Sequence, residues 1–307
     1  MTLLVTHADA LAHENPPGHP EQVARLPAIL DALPEMAWVE AEEVEDADLL
    51  RCHPQSYLDV LTKAAPSEGW AQLDADTFLS PGTLRAARLA AGGAVQAVDA
   101  VVMGDAPNAF VAMRPPGHHA ETAKPMGFCL FGNVAIAAKR ALDHHGLARV
   151  AVMDFDVHHG NGTQDLLWNE ERTLFISTHQ SPLWPGTGAA YETGAHDNVL
   201  NVPLAPHSDG AVFRQVMEQQ VLPRLDAFAP DLLLISAGFD AHRADPLAQL
   251  EWTEHDFAWA TDALCKLAAR HCDGRVVSCL EGGYDLDALA ASAVAHVDVL
   301  RRHGDGG

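Results

Sequence analysis

Basic residues are few in this sequence: Lys and Arg total 19 against 42 Asp and Glu, for a formal net charge of −23. A nucleic-acid-binding face would normally be basic, so nucleic acid is not an expected partner. The acidity suits solubility and would draw in a cationic substrate. Cysteine is also scarce. The five residues Cys52, Cys129, Cys265, Cys272 and Cys279 are an odd count without a CxxC pair. That argues against a disulfide framework and a cysteine-ligated zinc site, and it points to a reducing cytoplasm. No apolar run reaches the ~18 residues of a membrane span. Met1–Thr6 lacks a basic start and a long apolar run, so it reads as a strand rather than a signal peptide. There is no low-complexity linker and no internal repeat.

What is present is a 307-residue chain with 48% hydrophobic residues, enough for a sizeable core, read as one domain over 1–307. Apolar runs at Asn108–Met113, Arg149–Met153, Thr173–His179, Val199–Val202, Asp231–Ser236 and Val276–Leu280 read as strands. Between them lie helical patterns, notably Gly82–Met103, Asn133–His145, Gly210–Phe228 and Glu254–Arg270. A helix is expected from about Pro20 to Asp31, because proline and Glu21 are good start signals. A short one is expected near Gln164–Trp168. Leu73–Phe78 reads as a loop with two aspartates. The alternation predicts a mostly parallel sheet with helices on both faces.

Four strand ends carry unusual residues. Asn108–Met113 runs into His118-His119, and Arg149–Met153 into Asp154-Phe155-Asp156-Val157-His158. Asp231–Ser236 leads to Asp240, and Val276–Leu280 to Glu281-Gly282-Gly283-Tyr284. Singly, each has a bland explanation as a cap or a structural pair. In a parallel sheet, however, all four lie along one edge, where open α/β sheets bind ligands. Asp156 and His158 stand two apart, so both point to one side of an extended segment. With Asp240 they form an oxygen–nitrogen–oxygen set free of thiolate, the mark of a catalytic rather than a structural zinc. One imidazole of the 118–119 pair can serve as general base. Tyr284 on a glycine-flexed loop can donate to an oxyanion, and Asp154 and Asn161 can fix the imidazoles. These parts describe hydrolysis of an amide or ester.

Arg114-Pro115-Pro116-Gly117-His118-His119, Asp154 through Thr163, Gly238-Phe239-Asp240 and Glu281-Gly282-Gly283-Tyr284 resemble the zinc-dependent histone deacetylase family, in family order from about His13 to the last helix. The pattern is most similar to the class II and bacterial deacetylase-like branch, which includes acetylpolyamine amidohydrolases; Asn161, where class I members carry aspartate, supports that placement. The resemblance implies the arginase–deacetylase fold, a mostly parallel sheet of about eight strands. It implies one zinc on Asp156, His158 and Asp240, with His119 as general base. His118 is then its electrostatic partner held by Asp154, Asn161 faces His119, and Tyr284 is the transition-state donor. It further implies potassium at Asp154, Ser177 and Thr178 with the main chain of Asp156 and His158, and a second potassium at Leu167, Glu170, Thr173 and Asn198. Gly127, Phe128, Trp184, Leu247, Gly282 and Gly283 would line the acyl-lysine channel. Asp76 would sit at its rim, and Arg25 near an internal channel for acetate. Read without the family, Phe128, Trp184 and Leu247 are ordinary core residues and Arg25 is a solvated helix residue.

The expected substrate is an N-acetylated amine: an acetyl-lysine side chain or an acetylated polyamine. Leu247 is apolar where a specialised polyamine site would place a carboxylate, which favours acetyl-lysine; a promiscuous amide or ester hydrolase is the alternative. Two further readings are an inactive acyl-lysine-binding protein and a two-metal ureohydrolase. The intact Tyr284 and zinc ligands disfavour the first, and the His118-His119 pair disfavours the second. Iron could occupy the same ligands as zinc. The insertion through which polyamine-type relatives dimerise looks absent, since Leu73–Asn108 is compact.

Overall fold

The computed structural model describes residues 1–305. Its centre is an eight-stranded, all-parallel sheet. The strands are β1 (Leu3–Thr6), β2 (Trp38–Glu40), β5 (Asn108–Val111), β6 (Val150–Asp154), β7 (Thr173–Gln180), β8 (Val199–Leu204), β9 (Leu232–Ala237) and β10 (Val276–Leu280), in the order β2-β1-β5-β10-β9-β6-β7-β8. Every residue of β5, β6, β7, β9 and β10 is buried. That explains why they read as continuous apolar runs: a parallel sheet covered on both faces cannot alternate.

Helices α4 (Thr83–Met103) and α5 (Asn133–Asp143) pack on each other and on the sheet; α10 (Leu286–Gly304) packs on β5, and α9 (Glu254–His271) and α1 (Arg25–Ala32) pack against α10. By length and composition α4 could cross a membrane. Its apolar positions instead fill the core, and its alanines let it lie close to its neighbours. One hydrophobic cluster runs from Leu4 to Leu300.

The structure departs from the sequence reading in several places. β2 was not expected. It is one of the sheet's two outer strands and all three residues are exposed, so no buried pattern marks it. The expected loop Leu73–Phe78 is the turn of a small antiparallel hairpin, β3 (Ala71–Gln72) with β4 (Phe78–Leu79). α1 begins at Arg25 rather than near Pro20, because Glu21 turns inward to meet two arginines. The expected helix Gly210–Phe228 is continuous but contains a π-helical turn, Met217–Val221, between α7 (Gly210–Val216) and α8 (Leu222–Phe228).

The short helix α6 (Asn161–Leu167) starts earlier than expected. The amides of Gly162 and Thr163 in its first turn donate to the carbonyl of His118 at 2.9 and 3.1 Å. The segment following β5 thereby satisfies donors that a helix start leaves unpaired, and it is fastened to the segment following β6. α2 (Asp46–Leu49) and α3 (Gln55–Ala64) complete the helices.

Candidate active site

The four motif-bearing strands are contiguous in the sheet, in the order β5-β10-β9-β6. Their carboxyl ends therefore open side by side, and side chains far apart in sequence converge there. Asp156, His158 and Asp240 each offer a ligand atom, all within 4.8 Å of one another and buried. His158 Nδ1 lies 3.2 Å from Asp156 Oδ1 and 3.1 Å from Asp240 Oδ2.

Burial alone would discharge this imidazole, yet its contacts with the two carboxylates raise its pKa to about 10. The pocket demands positive charge at that spot. A proton supplies it in the protein alone, and a metal ion would supply it equally well. The chemistry of the donor set thus fits a divalent cation held by Asp156, His158 and Asp240. Backbone amides hold the carboxylates in place. Gly282 donates to Asp156 Oδ2 at 2.9 Å, Val157 to Asp240 Oδ1 at 2.9 Å, and His158 to Asp156 Oδ1 at 2.9 Å. A β-carbon at Gly282 would stand 2.2 Å from Asp240 Oδ2 and 2.6 Å from Asp156 Oδ2, so only glycine lets the loop approach the triad.

Beside the triad the rings of His118 and His119 lie with centroids 3.9 Å apart. Their surroundings push them in opposite directions. Burial disfavours charge on His118, but Asp156, Asp154 and Glu281 together hold its pKa well above the usual value; its Nδ1 meets Asp154 Oδ2 at 2.9 Å. Burial, and repulsion from His118 and His158, hold His119 well below the usual value.

The tautomer of His119 follows from a chain of contacts. Asn161 Nδ2 donates to Glu121 Oε1 at 2.8 Å, which fixes the amide so that Oδ1 faces His119 Nδ1 at 2.8 Å. Nδ1 must then carry the hydrogen, leaving the Nε2 lone pair free. Glu121 was not legible as part of the site, since nothing in its local sequence marks it.

Tyr284 is buried, and burial raises its pKa well above the ordinary phenol value, so it keeps its hydrogen as a donor. Its loop is held from two sides. Arg25 donates to the carbonyls of Gly283 at 2.7 Å and Glu281 at 2.6 Å, with its guanidinium 4.9 Å from the Tyr284 ring centre. The Asp245 carboxylate accepts the Tyr284 amide at 2.7 Å and the Leu247 amide at 2.9 Å. Arg25 is therefore not a solvated helix residue but fully buried. Asp245 was not singled out in the sequence. Neither was the role of Glu281, whose carboxylate accepts from the amides of Gly117 at 2.7 Å and His118 at 3.1 Å and holds the turn that presents the two histidines.

A cavity of about 390 Å³ leads from these groups to the surface. Phe128, Gly127, Trp184, Leu247 and Asp76 line it together with His119, His158 and Tyr284. Gly282 and Gly283, expected in the same wall, do not line it: the space their missing β-carbons leave is filled by the carboxylates of Asp240 and Asp156 and by Leu289 and Phe239. Trp184 is 41% exposed and stands edge-on to His119 at 4.7 Å, so it is a channel wall and not core. Phe128 adopts φ 68°, a left-handed conformation costly for an aromatic residue. Its amide donates to Thr77 Oγ1 at 3.1 Å, which supports that geometry. Gly127 fits because a β-carbon there would lie 2.5 Å from both His119 and Trp184. Ser177 and Thr178 are buried on β7 beside Asp154. Leu167, Glu170, Thr173 and Asn198 also come together, but the Asn198 amide already donates to the carbonyls of Leu167 and Glu170, at 2.9 and 3.2 Å.

A parallel sheet whose carboxyl edge carries a carboxylate–imidazole–carboxylate triad, paired imidazoles and a buried phenol at the base of a narrow channel defines a hydrolase. Comparison with known proteins gives its family. The histone deacetylase domain model matches residues 19–300. The chain is 46% identical over 303 residues to the uncharacterized protein slr0245 of Synechocystis sp., covering 96% of this chain and 97% of that one. It is 42% identical over 288 residues to the histone deacetylase-like amidohydrolase of Pseudomonas aeruginosa, covering 92% of this chain and 76% of that one. The crystal structure of the HDA15 HD domain superposes with a TM-score of 0.92 at 34% identity, covering 97% of this chain and 88% of that one. The chain belongs to the histone deacetylase family and is a hydrolase of the deacetylase and amidohydrolase type. The fold and family read from the motifs agree with these findings.

Proposed function

We propose that this protein is a zinc-dependent deacylase that removes acetyl groups from acetyl-lysine side chains. The observation that carries the reading is the convergence of the triad, the neutral His119 and the protonated Tyr284 on one narrow channel. Asp156, His158 and Asp240 would hold the zinc, whose chemistry is Lewis acidity toward water and toward a carbonyl. Nitrogen and oxygen donors without thiolate suit a catalytic zinc.

The protein's own groups do the rest. The alkyl stem of the substrate runs between Phe128 and Trp184, with Gly127 leaving room beside His119. Asp76 at the rim meets the substrate's main chain. His119 Nε2, with its lone pair free, accepts a proton from the attacking water, and His119 later returns it to the departing amine. His118 stays charged against Asp154 and keeps positive potential beside the developing negative charge. Tyr284 donates its hydroxyl hydrogen to that charge, an interaction made most strongly in the transition state.

Potassium is proposed beside the triad, at Asp154, Ser177 and Thr178 with the carbonyls of Asp156 and His158. No hydrogen bond among the described residues reaches those two carbonyl oxygens, which supports a hard cation there.

Acetyl-lysine is preferred over acetylpolyamine because Leu247, at the channel wall, offers no carboxylate to a second ammonium. The test is steady-state hydrolysis of an acetyl-lysine peptide beside acetylated putrescine and spermidine, with released acetate measured. A higher kcat/KM for the peptide is expected. A preference for the polyamines would overturn the substrate assignment, and absence of turnover on all of them with zinc bound would overturn the function.

A further inference from the structure

A second cavity, of about 860 Å³, opens beside the mouth of the channel. The two share His19, Pro20, Leu247 and Tyr284 in their walls, so whatever leaves the channel past Leu247 enters this cleft. We infer that the cleft is a subsite for an apolar or aromatic residue flanking the acylated lysine of a peptide substrate. The inference rests on the reading of the channel as an acyl-lysine site.

The composition of the walls indicates the ligand. Pro16, Pro17, Val23 and Pro246 present hydrocarbon, and Trp70 adds an indole that is 47% exposed. Glu14 is the one carboxylate among the lining residues. A polyamine is a polycation and would call for several carboxylates. A leucine or phenylalanine side chain would instead bury hydrocarbon against hydrocarbon.

The cleft is also fixed before anything binds. Trp70 Nε1 donates to the carbonyl of Glu14 at 3.1 Å, locking the indole to the proline-rich segment that follows. His19, which separates cleft from channel, donates from Nε2 to the carbonyl of Asp76 at 2.9 Å and accepts the Glu21 amide at Nδ1 at 3.1 Å. Its ring stands edge-on to Phe128 at 4.7 Å. Prolines and a tethered indole lose little freedom when a ligand docks, so most of the burial appears as binding. A fixed, exposed tryptophan is the kind of anchor that dominates recognition.

The experiment uses the zinc-loaded enzyme and three substrates: acetyl-lysine capped at both ends, the same residue between glycines, and the same residue next to phenylalanine or leucine. The apolar-flanked peptide should exceed the glycine-flanked one in kcat/KM by about tenfold, chiefly through KM. Trp70→Ala should bring the two within about twofold while leaving the capped acetyl-lysine unchanged, which also reports that the variant is folded. Val23→Asp, which places a charge in the cleft from a second lining position, should give the same collapse. Equal hydrolysis of apolar- and glycine-flanked peptides by the wild-type enzyme would overturn the subsite while leaving the deacylase reading intact, as would equal losses on every substrate with Val23→Asp. Failure of the wild-type enzyme to hydrolyse even the capped acetyl-lysine would overturn both.

Discussion

Asn161 sets the protonation of His119 through one hydrogen bond, and that bond is testable by charge. Asn161→Asp would place a carboxylate against Nδ1 and favour the charged ring. The base is then lost at higher pH than in the parent, so the acid limb of the kcat/KM profile should move to higher pH. An unmoved limb would separate His119 from the base role. A second residue-scale expectation concerns stability. His296 is fully buried between Thr261 and Ser278, and burial pushes its pKa down to about 3 from an unfolded value near 6.5. As pH falls the unfolded chain takes up the proton first. The stabilisation is therefore complete above about pH 6.5 and is lost progressively toward pH 3, on the order of 5 kcal/mol over the whole window. His296→Asn should flatten the fall in Tm between pH 6.5 and 4; an unchanged slope would mean the ring is protonated inside the fold.

At the scale of elements, the site is the product of strand ends, and its precision comes from the loops that bind them to one another. Asp245 holds the amides of both Tyr284 and Leu247. Asp245→Ala should lower kcat about tenfold or more by freeing the Tyr284 loop, with Asp245→Asn recovering part of the loss because it keeps one acceptor. Gly282→Ala should cost metal rather than fold, since the added carbon collides with the carboxylates of Asp156 and Asp240. Bound zinc per chain, measured by elemental analysis, should fall well below that of the parent.

The sequence made the strand ends legible because buried parallel strands and their terminal motifs are local signals. It hid the clamps because Asp245, Glu121, Arg25 and Glu281 act through partners as many as 258 positions away, as Arg25 does with Gly283. It hid β2 because an exposed three-residue outer strand carries no hydrophobic pattern. The start of α1 was misplaced for a related reason: local cap signals at Pro20 and Glu21 were overridden by the buried pairing of Glu21 with Arg114.

For the whole molecule, one core carries both the sheet and the site, so events at the triad should be felt in global stability. Two carboxylates and an imidazole buried within 4.8 Å gain from a cation that binds only the folded state, and zinc should raise Tm accordingly. Chelation should lower Tm and abolish turnover, with zinc restoring both. The net charge of −23 should make association with lysine-rich peptides faster at low salt, and kcat/KM should fall as ionic strength rises.

The central claim, that this edge of the sheet is a metal-assisted deacylation site completed by Tyr284, is tested most directly by one comparison. Turnover of an acetyl-lysine peptide is measured for the parent and for Tyr284→Phe, both shown to carry one zinc per chain. The expected result is a loss of about 10²–10³ in kcat at equal zinc content and equal Tm. A Tyr284→Phe protein with near-parental kcat would contradict the account.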